Sequence, residues 1–253
     1  MSATVISAVI FVCMIVGIFV GRVLQKVLPQ DHLDEGSKDT IKISSGLIAT
    51  LTALVLGLLV SSASGTFNTQ KAELEQIAAN IVQLDRVLAQ YGAEAAPVRA
   101  QLRQVVELRI KALWPEDAPP GAAQPGDTVS SETLQHALRA LKPANDAQKA
   151  LQDQALGIID SLGQTRALLA VQHRDAGIPL AFIVVLAVWT WAIFVAFSLF
   201  APGNATVNVS LLICVISVTC AVFLILELGS PYSGVVKLSS QPLQTALSYL
   251  GKP

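Results

Sequence analysis

The sequence predicts an all-α polytopic membrane protein, with four transmembrane helices in two hairpins and a helical extramembrane bundle between spans two and three. Two observations predict it. Of 253 residues, 53% are hydrophobic and only 14% charged, whereas a soluble domain carries about 25% charged residues. The uncharged residues are also gathered into runs, Ala3 to Gly21, Ile43 to Gln70 and Ala176 to Leu226, each meeting or exceeding the ~20 residues that cross a hydrocarbon core.

The first span is expected over 3–24. A cleaved signal peptide would place basic residues before its apolar run, but here Arg22 follows the run and Met1 to Val5 carry no charge, so this segment reads as a retained span. A loop over 25–42 leads to span two, 43–66. Past it, Leu74, Ile77, Ile81, Leu84, Leu88 and Tyr91 recur at heptad spacing, so span two should continue as one helix with a narrow apolar seam until Gly92 and Pro97 stop it.

The extramembrane segment covers 67–176. Amphipathic helices are expected at 97–114 and 131–142, separated by a loop over Pro115 to Asp127 that holds four prolines. A second seam, Leu151, Ala155, Ile158, Leu162, Thr165 and Leu169, leads back toward the membrane, antiparallel to the first. The two seams can bury each other, and they also offer a means of holding several copies in register. Pro179 should kink or restart the chain as it enters span three, 179–200.

The run Ala176 to Leu226 is too long for one crossing and must fold back. The turn is legible at Ala201-Pro202-Gly203-Asn204, because Pro cannot continue a helix and Gly and Asn tolerate turn conformations. Span four then covers 205–227. The tail, 228–253, is turn-rich with a final amphipathic turn or two.

No catalytic constellation is expected, so the chain reads as no enzyme. His32, His136 and His173 are scattered, and no phosphate loop, nucleophile elbow or HExxH is present. Asp31, Asp34, Glu35 and Asp39 fit no calcium loop and lie among Lys38 and Lys42, so they read as a solvated turn; no metal and no cofactor is expected. Cys13, Cys214 and Cys220 fall within spans and read as small packing residues.

Span two carries the most informative pattern. Thr50, Ala53, Gly57, Ser61, Ser64 and Asn68 fall at steps of three or four and form one small, increasingly polar row. Such a row either lets helices approach closely or faces a water-filled axis, and packing is the commoner use. Glu227, at the end of span four, reads as a boundary acid that reaches headgroup water.

Leu33-Asp34, the run Gly46 to Gln70, Leu84-Asp85-Arg86, the tail Pro231-Tyr232-Ser233-Gly234 and Ser240-Gln241-Pro242-Leu243 resemble the bestrophin-like family of bacterial membrane proteins, itself distantly similar to bestrophin anion channels. The resemblance covers nearly the whole chain. It implies a homo-oligomer, a pentamer by analogy with bestrophins, with span two lining the pore and Thr50 to Asn68 as the lining row. It marks Glu227, Pro231, Tyr232, Gly234 and Pro242 as the tail motif. The chain departs from bestrophins in showing Ser61-Ser62-Ala63-Ser64-Gly65-Thr66 where they carry Arg-Thr-Asn, and it has no acidic calcium clasp after the tail.

The expected function is therefore an ion channel passing small anions; the alternative is a non-conducting scaffold or sensor whose bundle binds a partner. The expected partners are the lipid bilayer and further copies of the chain, with no nucleic acid. The resemblance places the protein in the cell inner membrane with both termini and the bundle in the cytoplasm. The first-loop basic residues Arg22, Lys26, Lys38 and Lys42 point the other way under the positive-inside rule.

Overall fold

The structure, a computed structural model, describes residues 2–29, 34–114, 131–175, 180–229 and 234–252. Among them there are eight α-helices and no strand. Four helices are long and apolar enough to cross a membrane: α1 (Ala3–Val27), α2 (Glu35–Tyr91), α6 (Leu180–Phe200) and α7 (Ala205–Leu228). The shorter α3 (Ala96–Leu113), α4 (Ser131–Arg139) and α8 (Gln241–Tyr249) accompany the longer α5 (Asp146–Asp175). The chain divides into two compact units, residues 1–67 with 176–236 and residues 68–175 with 237–253.

In the first unit α1 packs against α6 and α7, around Ile10, Met14, Phe194, Leu211, Val215 and Val222, with Leu56 of α2 against the same cluster. Two glycines one turn apart make the α1–α6 contact close. A Cβ on Gly17 would stand 2.9 Å from Trp191 Cδ1, and one on Gly21 would collide with the Val195 carbonyl oxygen. Removing both side chains lets the backbones meet, and Ser198 Oγ then donates to the Ile18 carbonyl at 2.6 Å. Arg22, at the end of α1, donates to Asn208 near the start of α7.

The turn before α7 lies where expected. Asn204 caps the helix, its Oδ1 accepting from Val207 N at 2.9 Å, which satisfies one of the amides that a helix start leaves free.

The loop expected over 25–42 is narrower. α1 runs to Val27 and α2 begins at Glu35, because Asp34 Oδ1 accepts from Ser37 N at 2.9 Å and the polar residues that follow, among them Lys38, Asp39 and Lys42, tolerate helix. Asp34 is thus a helix cap, and no group of acids or histidines that could hold a metal occurs among the described residues.

The cysteines differ from expectation: Cys13, Cys214 and Cys220 are exposed on the protomer. Cys13 lies four residues from Val9 and three from Val16, both outward-facing, so helical geometry turns it away from the core.

In the second unit the seam expected on α2 is buried throughout, from Leu74 to Tyr91. Gly92, at φ +121°, ends the helix, and Gln148 Nε2 donates to the free Tyr91 carbonyl at 2.9 Å. On α5, Ala155, Ile158 and Leu162 of the second seam are buried. These side chains are consumed within one chain. The buried residues are therefore not available to pack against neighbouring copies.

α5 starts earlier than its seam, at Asp146, because Asn145 Oδ1 accepts from Gln148 N at 2.8 Å. α4 stops at Arg139, short of 142, where Gln152 Nε2 donates to the Leu138 and Leu141 carbonyls. The loop expected over 115–127 and Pro179 lie outside the described residues.

Candidate functional site

α2 presents three faces through its apolar part. Successive residues advance by ~100° around a helix. Ser45, Thr52 and Ala63 share the buried face. Leu47, Leu51, Leu54 and Leu58 form an exposed row. The small row lies roughly 90° from those leucines, and there Thr50, Ala53, Gly57, Ser61 and Asn68 are exposed and Ser64 is half-buried. A Cβ built on Gly57 would meet nothing within 4 Å. The row is therefore not a packing surface within the protomer. The close helix approach falls instead at Gly17 and Gly21 of α1, which carry the small-xxx-small signal in plain view.

The hydroxyls of this row are not equivalent. Thr50 Oγ1 donates to the Gly46 carbonyl at 2.9 Å, so its proton is used within the helix and only its lone pairs face outward. An outward lone pair suits water or a cation and not an anion. Ser61, Ser64 and Asn68 make no side-chain hydrogen bond among the described residues and keep their donors.

At the end of α7, Glu227 does not reach headgroup water as expected. It is 3% exposed, and its Oε2 accepts from Val235 N at 2.6 Å and from Val236 N at 3.2 Å. Gly234 makes this possible. Its φ is +101°, and any Cβ there would collide with the Glu227 carboxylate. The family model of the bestrophin-like domain matches residues 5–243.

The chain belongs to the bestrophin-like family. No curated protein and no solved structure matches it. In this bestrophin-like chain the tail motif thus contains a structural pair, Glu227 and Gly234, that binds the tail backbone to the end of α7. Pro242 sits in the first turn of α8, where its missing N–H leaves no bond unmade. Pro231 and Tyr232 lie outside the described residues.

A second feature of the bestrophin-like chain joins Leu84-Asp85-Arg86 to the C-terminal residues. Asp85 is buried on α2, and Arg99 Nε and Nη2 on α3 donate to its two oxygens at 2.8 Å each. Gly251 N donates to the same carboxylate at 3.2 Å. Arg99 Nη2 also donates to the Lys252 carbonyl at 3.1 Å, and Trp114 Nε1 donates to the Leu238 carbonyl at 2.8 Å. The hydrogen bond to Asp85, more than its charge, holds the Arg99 guanidinium above its ordinary pKa against the opposing effect of burial. Sequence reasoning singled out Asp85 but not Arg99, since nothing in spacing alone pairs residues on two different helices.

Proposed function

We propose that the protein is a homo-oligomeric channel for small anions, in which several copies set α2 around a common axis in the cell inner membrane. The observation that supports this reading best is the exposure of the row from Thr50 to Asn68 on a face of α2 that its own protomer leaves uncovered. A protomer of four membrane helices is too thin to enclose a water-filled path by itself, so conduction requires further copies. The exposed leucines Leu47, Leu51, Leu54 and Leu58 adjoin the row and would meet the neighbour or lipid.

Anion preference then rests on Ser61, Ser64, the Asn68 amide and helix-end dipoles. The helical spacing continues from Asn68 to the exposed Lys71, which adds the first positive charge to the row. By family analogy the assembly is a pentamer, and both termini and the bundle are cytoplasmic. The protein performs no covalent chemistry in this reading.

The absence of Lys and Arg between Ile43 and Gln70 favours the second reading, a scaffold or sensor that conducts nothing. Purified protein in a planar bilayer under a chloride gradient, with its mass measured in detergent, separates the two. Multimeric mass with anion-selective current is expected. Monomeric mass with no current would sink the channel reading. An introduced cysteine at position 124, probed from outside intact cells by an impermeant reagent, tests the side of the membrane: labelling would place the bundle outside.

A further inference from the structure

The second unit contains a cavity of ≈ 470 Å³ among α2, α3, α4 and α5. Its floor is apolar, with Ile81, Leu102, Val105, Leu134, Ile159 and Leu162 all buried. Its rim is polar and comes from three side chains, Gln135, Asp160 and Gln164. Gln135 Nε2 donates to Asp160 Oδ1 at 3.0 Å, which fixes the carboxylate at the rim.

α5 faces this space with Gly163 and Ala167. A Cβ on Gly163 would meet nothing within 4 Å. The space opens to solvent along α5, where Asp160, Gly163, Gln164 and Ala167 are exposed, and its apolar floor gives ordered water no partners. A space of this size, apolar within and with a few converging polar groups at its mouth, has the build of a small-molecule site between helices of a bundle.

The rim decides the chemistry of the occupant. Asp160 belongs to none of the ion pairs among the described residues, and its one side-chain hydrogen bond comes from a neutral amide. The amide oxygens of Gln135 and Gln164 add acceptors beside it. We propose that this cavity binds a small amphiphile with an apolar body and a protonated amine, the body on the Leu102–Leu162 floor and the ammonium donating to Asp160. This site is independent of whether the chain conducts.

The test uses the full-length protein in nanodiscs of a zwitterionic phosphatidylcholine. The probe is 4-phenylbutylamine, with 4-phenylbutanol and 4-phenylbutyrate as neutral and anionic counterparts, read by calorimetry and by saturation-transfer NMR. Saturable binding of the amine is expected, with the butyrate far weaker. Asp160→Asn should weaken the amine about tenfold, as loss of a charge-assisted hydrogen bond does, and leave the alcohol unchanged. Gly163→Leu should abolish binding of all three, and Ala167→Leu provides the same test if Gly163→Leu does not yield folded protein. Absence of saturable binding to the wild type, binding unaffected by filling the cavity, or equal affinity for the butyrate would each overturn the proposal.

Discussion

The Glu227 carboxylate occupies the space that a side chain at Gly234 would need. Gly234 lies seven positions after Glu227, and each explains the other: Gly234 adopts a left-handed φ of +101° that exposes Val235 N and Val236 N to the acid. Gly234→Ala therefore meets both a strained backbone and a collision. It should cost about 2 kcal/mol, or roughly 4–8 °C in the thermal midpoint of the purified protein. Glu227→Ala breaks the same contact, so the double variant should lose clearly less than the sum of the singles. Additive losses would show that the two do not act as one unit.

Arg99→Ala leaves the Asp85 carboxylate, with 5% of its side chain exposed, without its cation. The expected cost is about 3 kcal/mol by denaturant titration, at the lower end for broken buried pairs because the Arg99 side chain is itself 20% exposed. Arg99→Lys should recover only part of it, since an ammonium cannot span both oxygens. Because the folded state raises the Arg99 pKa, its contribution is fully present below the ordinary arginine range and is lost only as pH rises through still more alkaline values. The loss on Arg99→Ala should therefore be equal at about pH 7 and about pH 10.

Glycines on α1 and α2 should respond in opposite ways. Gly21→Leu must displace the Val195 backbone and should abolish recovery of monodisperse protein. Gly57→Leu enters open space within the protomer and should leave the fold intact. If Gly57 faces the channel axis, single-channel current is blocked while the assembly keeps its mass. If it faces a neighbouring copy, the mass falls. Unaltered current with unaltered mass would remove α2 from the pore.

Gln70 is 0% exposed, and among the described residues neither its amide oxygen nor its amide nitrogen has a partner. Burying an unpaired amide costs about 1–3 kcal/mol. Gln70→Leu, of nearly the same volume, should raise the thermal midpoint of the purified protein. A lowered midpoint would mean that the amide has a partner such as a bound water.

Much of this architecture was legible in the sequence because the signals were periodic or compositional. The seam from Leu74 to Tyr91, the turn at Pro202-Gly203 and the stop at Gly92 each follow from local residue chemistry. The α2 row was legible as a pattern, but its direction was not, because Thr50 and Thr52 look alike in sequence while one faces outward and the other is buried. The Asp85–Arg99 pair and the Glu227 contact escaped for a related reason. Both are decided by which donors come near a carboxylate, a guanidinium in one case and backbone amides in the other, and no spacing rule contains that information. The cavity was invisible because its lining comes from four helices at once.

The contact between Asp85 and Gly251 also imposes an order of events on synthesis. Arg99 follows Asp85 by fourteen residues, so the guanidinium is available almost as soon as the acid is made. Gly251 follows by 166 residues, and at ~5–20 residues per second it is translated roughly 8–30 s after Arg99. During that interval the carboxylate has its cation but not its last amide donor, and α3 has no α8 beside it. Gly251 thus completes an acid made 166 residues earlier, and a polypeptide cut short before it would leave the ribosome with that acid unfinished.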